Sequence, residues 1–295
     1  MKKVAILLLG TAVLTGCGSD DSGDSNDQRA SSSYIGAIEA VDANADTMTI
    51  NSMPLSLAST RIELNGHNVT SNELAAGMQV DVEYDNDIAY EVDIDPEIVG
   101  MVTGVTSTTI TVNGQTLDTT KDFTSNNFEN KRVMLFGYAE QNGNWKINAA
   151  YEVGSIPVEN LYEGKITSID KANNFFNIGT MKVDYSNARM DHEDLAELNN
   201  GVWVEIEGNF NIDFMANDVD VENELDLANA EVEGYVTTLN YEKTSMTLNG
   251  KTVVAITENT RFEDGLKEQL KVGSKVDVDL INNAGKLQAS EIEFD

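Results

Sequence analysis

The chain has 295 residues, 41% of them hydrophobic, with 19 Lys+Arg against 50 Asp+Glu and a formal charge of −31. Such a surface repels phosphate backbones, whose binding rests on neutralisation by Lys and Arg, so nucleic acid is excluded as a partner. The low hydrophobic share suits several small modules better than one large core, and a single cysteine excludes an internal disulfide.

Residues 1–16 begin Met1-Lys2-Lys3 and continue as an apolar run too short to cross about 30 Å of hydrocarbon comfortably. Those flanks mark an export signal. Leu14-Thr15-Gly16-Cys17 resembles the bacterial lipobox. The resemblance implies cleavage after Gly16, a diacylglycerol thioether on Cys17 and N-acylation, and two or more acyl chains make a stable anchor. With Gly18 and not Asp after the cysteine, it also implies, for a Gram-negative cell, an outer-membrane lipoprotein of the cell envelope, facing the periplasm or the outside. The competing reading is an ordinary secretory signal with an incidental cysteine. After Cys17, residues 18–33 carry almost no apolar side chain, so residues 17–33 are expected to be a disordered acidic tether.

Four similar segments follow, predicted as repeats at 34–96, 97–156, 160–225 and 230–295. Repeat one alternates apolar and polar residues from Ile38, turns at Asp42-Ala43-Asn44-Ala45-Asp46 and returns at Thr47 to Ile50. Leu55 to Leu57 and Thr60-Arg61-Ile62 come next. Ser71 is placed as the cap of a short helical turn that carries Leu74 and ends at Gly77. Val80, Val82 and Tyr84, then Ile88, Tyr90, Val92 and Ile94, are two further strands. Repeat two opens at Gly100, has a shorter middle, and places Asn130 where repeat one has Gly77; Asn is the usual substitute where φ is positive. Repeat three runs from Gly164 through Ile178, Val183 and Arg189 to a helical turn with Leu195 and Leu198, then Val204 and Val219. Repeat four is the cleanest copy: Gly234-x-Val236, Thr247-Leu-Asn-Gly250, Thr260-Arg261-Phe262, Leu270-Lys-Val-Gly273, an alternating strand, and Ala289 to Ile292. The opening glycines 36, 100, 164 and 234 are spaced 64, 64 and 70 apart.

The predicted fold class is therefore all-β: a tandem array of four small five-stranded OB-like barrels, each with one short helical turn between its third and fourth strands. A small SH3-like barrel or an open sandwich is the alternative. Short connections predict a rod of barrels touching their neighbours, with Pro157 at the freest joint. The motifs quoted for repeat four resemble the bacterial domain of unknown function 5666 family, over nearly all of residues 35–294 and least in repeat two. They are structural motifs, so the resemblance implies a fold and carries over no catalytic residue.

A search for chemistry finds little. The two histidines are His67, in the turn composition Asn65-Gly66-His67-Asn68, and His192, beside carboxylates that favour a helix N-terminus or, in a second reading, a metal. Asp42, Asn44 and Asp46 have the spacing that opens a calcium loop but lack its Gly and closing Glu, which leaves a hairpin turn or a weak calcium site. Asp277 and Asp279 are expected on a solvated strand face. Arg61, Arg189 and Arg261 recur after the third strand and are expected to pair with carboxylates. Trp203 stands where the other copies have Gln79, Arg132 and Lys275, so it is a contact with a neighbouring barrel, a ligand platform or neither. These features predict no enzyme, no cofactor beyond calcium, and a non-catalytic lipid-anchored scaffold or binding protein with an unidentified envelope or extracellular partner. The alternative is a divalent-cation or carbohydrate-binding surface module.

Overall fold

The computed structural model describes residues 32–124 and 127–295. The signal peptide, Cys17 and nearly all of the tether therefore lie outside the described residues.

Four units of one strand pattern follow. The first holds β1 (Ser32–Ala37), β2 (Ala40–Asp42), β3 (Thr47–Ile50), β4 (Met53–Ser56), β5 (Arg61–Leu64), β6 (His67–Asn68), β7 (Gln79–Asp85) and β8 (Ile88–Ile94). The second holds β9 (Ile98–Val105), β10 (Thr109–Val112), β11 (Gln115–Thr119), β12 (Arg132–Ala139) and β13 (Trp145–Glu152). In the third are β14 (Asn160–Asp170), β15 (Phe175–Ile178), β16 (Met181–Asp184), α1 (His192–Glu197), β17 (Trp203–Phe210) and β18 (Phe214–Val221). The fourth has β19 (Glu231–Leu239), β20 (Ser245–Leu248), β21 (Thr252–Ala255), β22 (Arg261–Glu263), β23 (Lys275–Asn282) and β24 (Leu287–Phe294). The alternation seen in sequence is the cause: on β23, Val276, Val278 and Leu280 are buried while Asp279 is exposed.

In units two, three and four the first strand serves two partners of its own unit, a role that β1 and β2 divide in unit one. Its leading half pairs antiparallel with the fourth strand, as β14 does with β17, and its trailing half pairs with the second strand, as β14 does with β15. The third strand runs parallel to the fifth, in β4–β8, β11–β13, β16–β18 and β21–β24. A tight turn before the fourth strand locks this arrangement. Gly77, Asn130, Gly201 and Gly273 all have positive φ, at 90°, 62°, 89° and 87°. Each donates its N–H to the first strand of its own unit, to the carbonyls of Ile38, Val102, Ile166 and Val236 at 2.6 to 3.0 Å. The expectation that Asn130 replaces glycine is met by its backbone.

Several expectations need correction. The units are not separate barrels along a rod. Units one and four share a 14-stranded sheet through parallel β1 and β19, and units two and three share a 10-stranded sheet through antiparallel β9 and β14. Each unit also touches every other one. Asn65 donates to Glu207 at 3.0 Å between units one and three, the Ala139 N–H donates to the Asn249 carbonyl at 3.0 Å between units two and four, and the Tyr151 hydroxyl reaches the Ala76 carbonyl between units one and two. Lys251 bridges units four and three. The cause lies on β12, where Val133, Met134, Leu135 and Phe136 are all buried, two into their own unit and two, with Val99 and Leu161, against the core of unit one. Each large apolar side chain buried this way contributes about 1.5–3 kcal/mol. The joint at Pro157 is not free, because Val153 and Val158 on either side of it enter that same cluster.

The helical turns also differ. Units one and four have 3-10 turns, at Ser71–Glu73 and Lys267–Gln269, and among the described residues unit two has none between β11 and β12. Thr70, not Ser71, is the capping position: its N–H donates to the Glu73 carboxylate at 3.0 Å, while the Ser71 hydroxyl donates to Asp46.

The shared turn gives a direct test. No atom lies within 4 Å of a Cβ built on Gly273, so any loss in Gly273→Ala reflects backbone conformation alone. The expected destabilisation is about 1–2 kcal/mol in urea unfolding, with Asn130→Gly within about 0.5 kcal/mol of the parent. A neutral Gly273→Ala would remove the turn from this role.

Candidate functional site

The opening glycine of each unit defines one row across three strands: Gly36–Val80–Ile94, Gly100–Val133–Glu152, Gly164–Val204–Val221 and Gly234–Val276–Phe294. Small size is needed there because the next hairpin packs on it in units two, three and four, and because Tyr34 and, from unit four, Glu233 pack on Gly36 in unit one. A Cβ on Gly100 would stand 2.2 Å from the Asn113 Oδ1, and one on Gly234 would be 3.0 Å from Asn249.

Outward residues around this row are where the copies diverge. The residue before the glycine is Ile35, Val99, Glu163 or Glu233, and its neighbour on the fourth strand is Asp81, Met134, Glu205 or Asp277. The residue after the fifth strand is Asp95, Val153, Glu222 or Asp295, and the fourth strand opens with Gln79, Arg132, Trp203 or Lys275. Unit two is apolar at three of these four places because they lie against unit one. Units three and four carry carboxylates at the same three places. Like charges directly across a strand pair are destabilising, so each set needs a compensating group.

In unit four, oxygens of Glu233, Asp277 and Asp295 lie within 4.8 Å of one another. The Lys275 ammonium donates to Glu233 Oε2 at 2.7 Å and also pairs with Asp295. Unit one contributes the Tyr34 hydroxyl, which donates to Glu233 Oε2 at 3.3 Å, and the Ala37 N–H, which donates to its Oε1 at 3.4 Å. Asp277 is only 4% exposed and its Oδ1 has no hydrogen-bond partner among the described residues. Burial, and then Glu233, push its carboxyl up to about 7. The expectation of a solvated Asp277 is therefore overturned, because the arrival of unit one covers this face; Asp279, one pleat further on, is exposed.

Unit three solves the same problem from outside. Trp203 occupies the place of Lys275, and Lys251 of unit four donates to both oxygens of Glu163 at 2.7 and 2.8 Å. Glu163 is 4% exposed and Glu97, beside it, 7%; the Glu97 Oε2 accepts the Gly137 N–H at 3.0 Å. Burial raises Glu97 well above the usual carboxylate range, with Lys251 opposing. Burial would lower the Lys251 pKa, but Glu163, Glu222, Asp95 and Glu97 reverse this and hold it charged.

The residues singled out from sequence fall elsewhere. Asp42 closes its own turn, accepting the N–H groups of Asn44 at 2.9 Å and Ala45 at 3.2 Å, and Asp46 accepts from Ser71. Trp203 is buried, its ring edge-to-face with Trp145 of unit two at 6.0 Å. His67 sits on the short strand β6 and His192 opens α1 after Asp191, in different units. Arg61 pairs with Glu63 at 3.1 Å and with Glu91, Arg189 with Asp218 at 2.7 Å, and Arg261 with Glu291. The arginines are well exposed, so each pair is worth at most about 1 kcal/mol. Sequence reasoning missed Glu97, Glu163, Glu233 and Lys251. For Glu163 and Glu233 the signal was charge at a place where sibling copies have Ile35 and Val99.

The family described as domain of unknown function (DUF5666) matches residues 35–89, 163–219 and 233–293, more than half of the chain. A comparison with curated proteins gave no match. The matched stretches fall in units one, three and four; the apolar unit two lies outside them.

Two outcomes test the electrostatics. Lys251→Met leaves buried Glu163 without its ammonium and is expected to destabilise the fold by about 3 kcal/mol in urea unfolding; a loss under about 1 kcal/mol would mean that the pair is screened like a surface one. The pH dependence has a definite sign. Asp81 stands at about 7 through burial and then Asp95, and Asp220 at about 6 through burial and then Asp218, against about 4 in an unfolded chain. The folded state then binds these protons more tightly, so their contribution is complete below about pH 4 and lost as pH rises through 6 to 7. The urea midpoint is expected to fall between pH 5 and pH 8, and a flat or rising midpoint would contradict the burial of these groups.

Proposed function

We propose that this chain, which belongs to the DUF5666 family, is a non-catalytic, lipid-anchored protein of the bacterial cell envelope, held to the outer membrane through Cys17. Its four units present a rigid acidic body to a partner in the envelope or outside the cell. We read each unit as an OB-type small barrel, its pairing order returning to the first strand, but fused to its neighbours through shared strands. One observation carries the reading: the residues in which the copies differ are used for packing the copies on one another. The sequence variation thus supports a single stiff body. The lipobox resemblance of Leu14-Thr15-Gly16-Cys17 supports the anchor.

A second reading, a divalent-cation-binding surface, is favoured by the carboxylates that converge at Glu233, Asp277 and Asp295. The carbohydrate version that used Trp203 as a platform has weaker support, because that ring is covered by its neighbours.

Fractionation of cells that express the full chain and Cys17→Ser tests the anchor. The parent is expected in the membrane fraction and the variant in the soluble fraction. An unchanged distribution would sink the lipid-anchor reading.

A further inference from the structure

We propose that Glu233, Asp277 and Asp295 form a calcium site in unit four, in which the ion takes the place of the Lys275 ammonium. The inference rests on the second reading above and gives it one location.

The donors that converge are all carboxylate oxygens, which select a hard cation over zinc or copper. Their mutual separation, within 4.8 Å, is what two calcium–oxygen bonds of about 2.3–2.6 Å can bridge without backbone movement. Magnesium demands a tighter octahedron and gives up its waters reluctantly, so it fits less well. An acidic cluster by itself would mean little in a chain of charge −31. The separate observation is Asp277, which is only 4% exposed and yet has Oδ1 without a hydrogen-bond partner among the described residues. A buried carboxylate oxygen left unpaired is a group whose desolvation has no return within the protein.

Lys275 is not sufficient compensation. One ammonium faces three carboxylates, and it is bonded to Glu233 and Asp295 with no bond to Asp277. Its side chain is about one-third exposed (34%), and that of Asp295 is 42% exposed, so an ion has an entry and the lysine has an exit into water. Glu233 is held in place from unit one by the Tyr34 hydroxyl and the Ala37 N–H, which leaves its carboxylate preset for a ligand. The comparable groups lack a buried unpaired oxygen among the described residues. The Glu63, Glu91 and Asp93 set is only half-buried and lies beside Arg61, and Lys251 engages both oxygens of Glu163.

The experiment is a calcium titration of the full chain by calorimetry in about 0.15 M salt, where diffuse attraction to surface charge is screened beyond about 8 Å. It is paired with terbium luminescence sensitised by Tyr34, which reports an ion at this place. One saturable site is expected, with Kd on the order of 10⁻⁴–10⁻³ M, as for few-ligand extracellular sites. Asp277→Asn is expected to weaken it about tenfold or more by removing ligand charge, and Lys275→Gln to tighten it by removing the competitor. Should Asp277→Asn not fold, Asp295→Asn at the exposed end gives the same readout. Calcium binding that is unchanged in all three variants would overturn this site while leaving the cation-binding reading alive. No saturable calcium binding at all would overturn both.

Discussion

The structure depends on a single constraint: the first strand of each unit is asked to pair more often than a strand has edges within its own unit. β14 shows the arrangement most fully. Over residues 160–165 it pairs with β17, at Leu161 and Tyr162 it also pairs with β9 of unit two, and from Ile166 it turns to β15. An exposed strand edge is a hazard that proteins cover in some way. Here each unit covers the edge of another. Units one and four do so in parallel through β1 and β19, and units two and three do so antiparallel through β9 and β14.

Once the edges are shared, the outward faces cannot stay equivalent. A face that meets another unit must become apolar, as at Val99, Met134 and Val153, or must find charge partners, as at Glu163 and Glu233. The two solutions differ physically. The apolar face gains from burial roughly in proportion to area. The charged face gains little net stability, since desolvation of carboxylate and ammonium offsets their attraction, but it penalises any misplacement strongly. Lys251 reaching Glu163 across a unit boundary therefore sets which surfaces dock as much as how firmly they hold.

The repeat, the strand order and the special turns were legible in the chain. Period-two alternation marked β7, β17 and β23, and the substitution of Asn130 for glycine followed from backbone geometry alone. The mutual arrangement of the units was not legible. Alternation says that Asp277 points away from its own core, but not whether water or a second unit lies beyond it. The unbroken apolar run from Val133 to Phe136 was the one local sign of a strand buried on both faces. The candidate site was hidden for the same reason: Glu233, Asp277 and Asp295 are each unremarkable on an acidic strand, and only the register of β19, β23 and β24 brings them together. Trp203 stood out correctly as an odd residue, and its place against Trp145 could not be read without knowing that unit two lies there.

The sharing of β1 has a mechanical consequence. This strand is gripped on one side by antiparallel β7 and on the other by parallel β19. A pull on the chain ahead of Ser32 acts along the strand axis, so its hydrogen bonds are loaded together in shear and do not open one at a time like a zip. The same grip joins the first unit to the last, and tension entering at one end of the sequence is passed at once to both. A body attached through that end would load its first and last units together, although two others separate them in sequence.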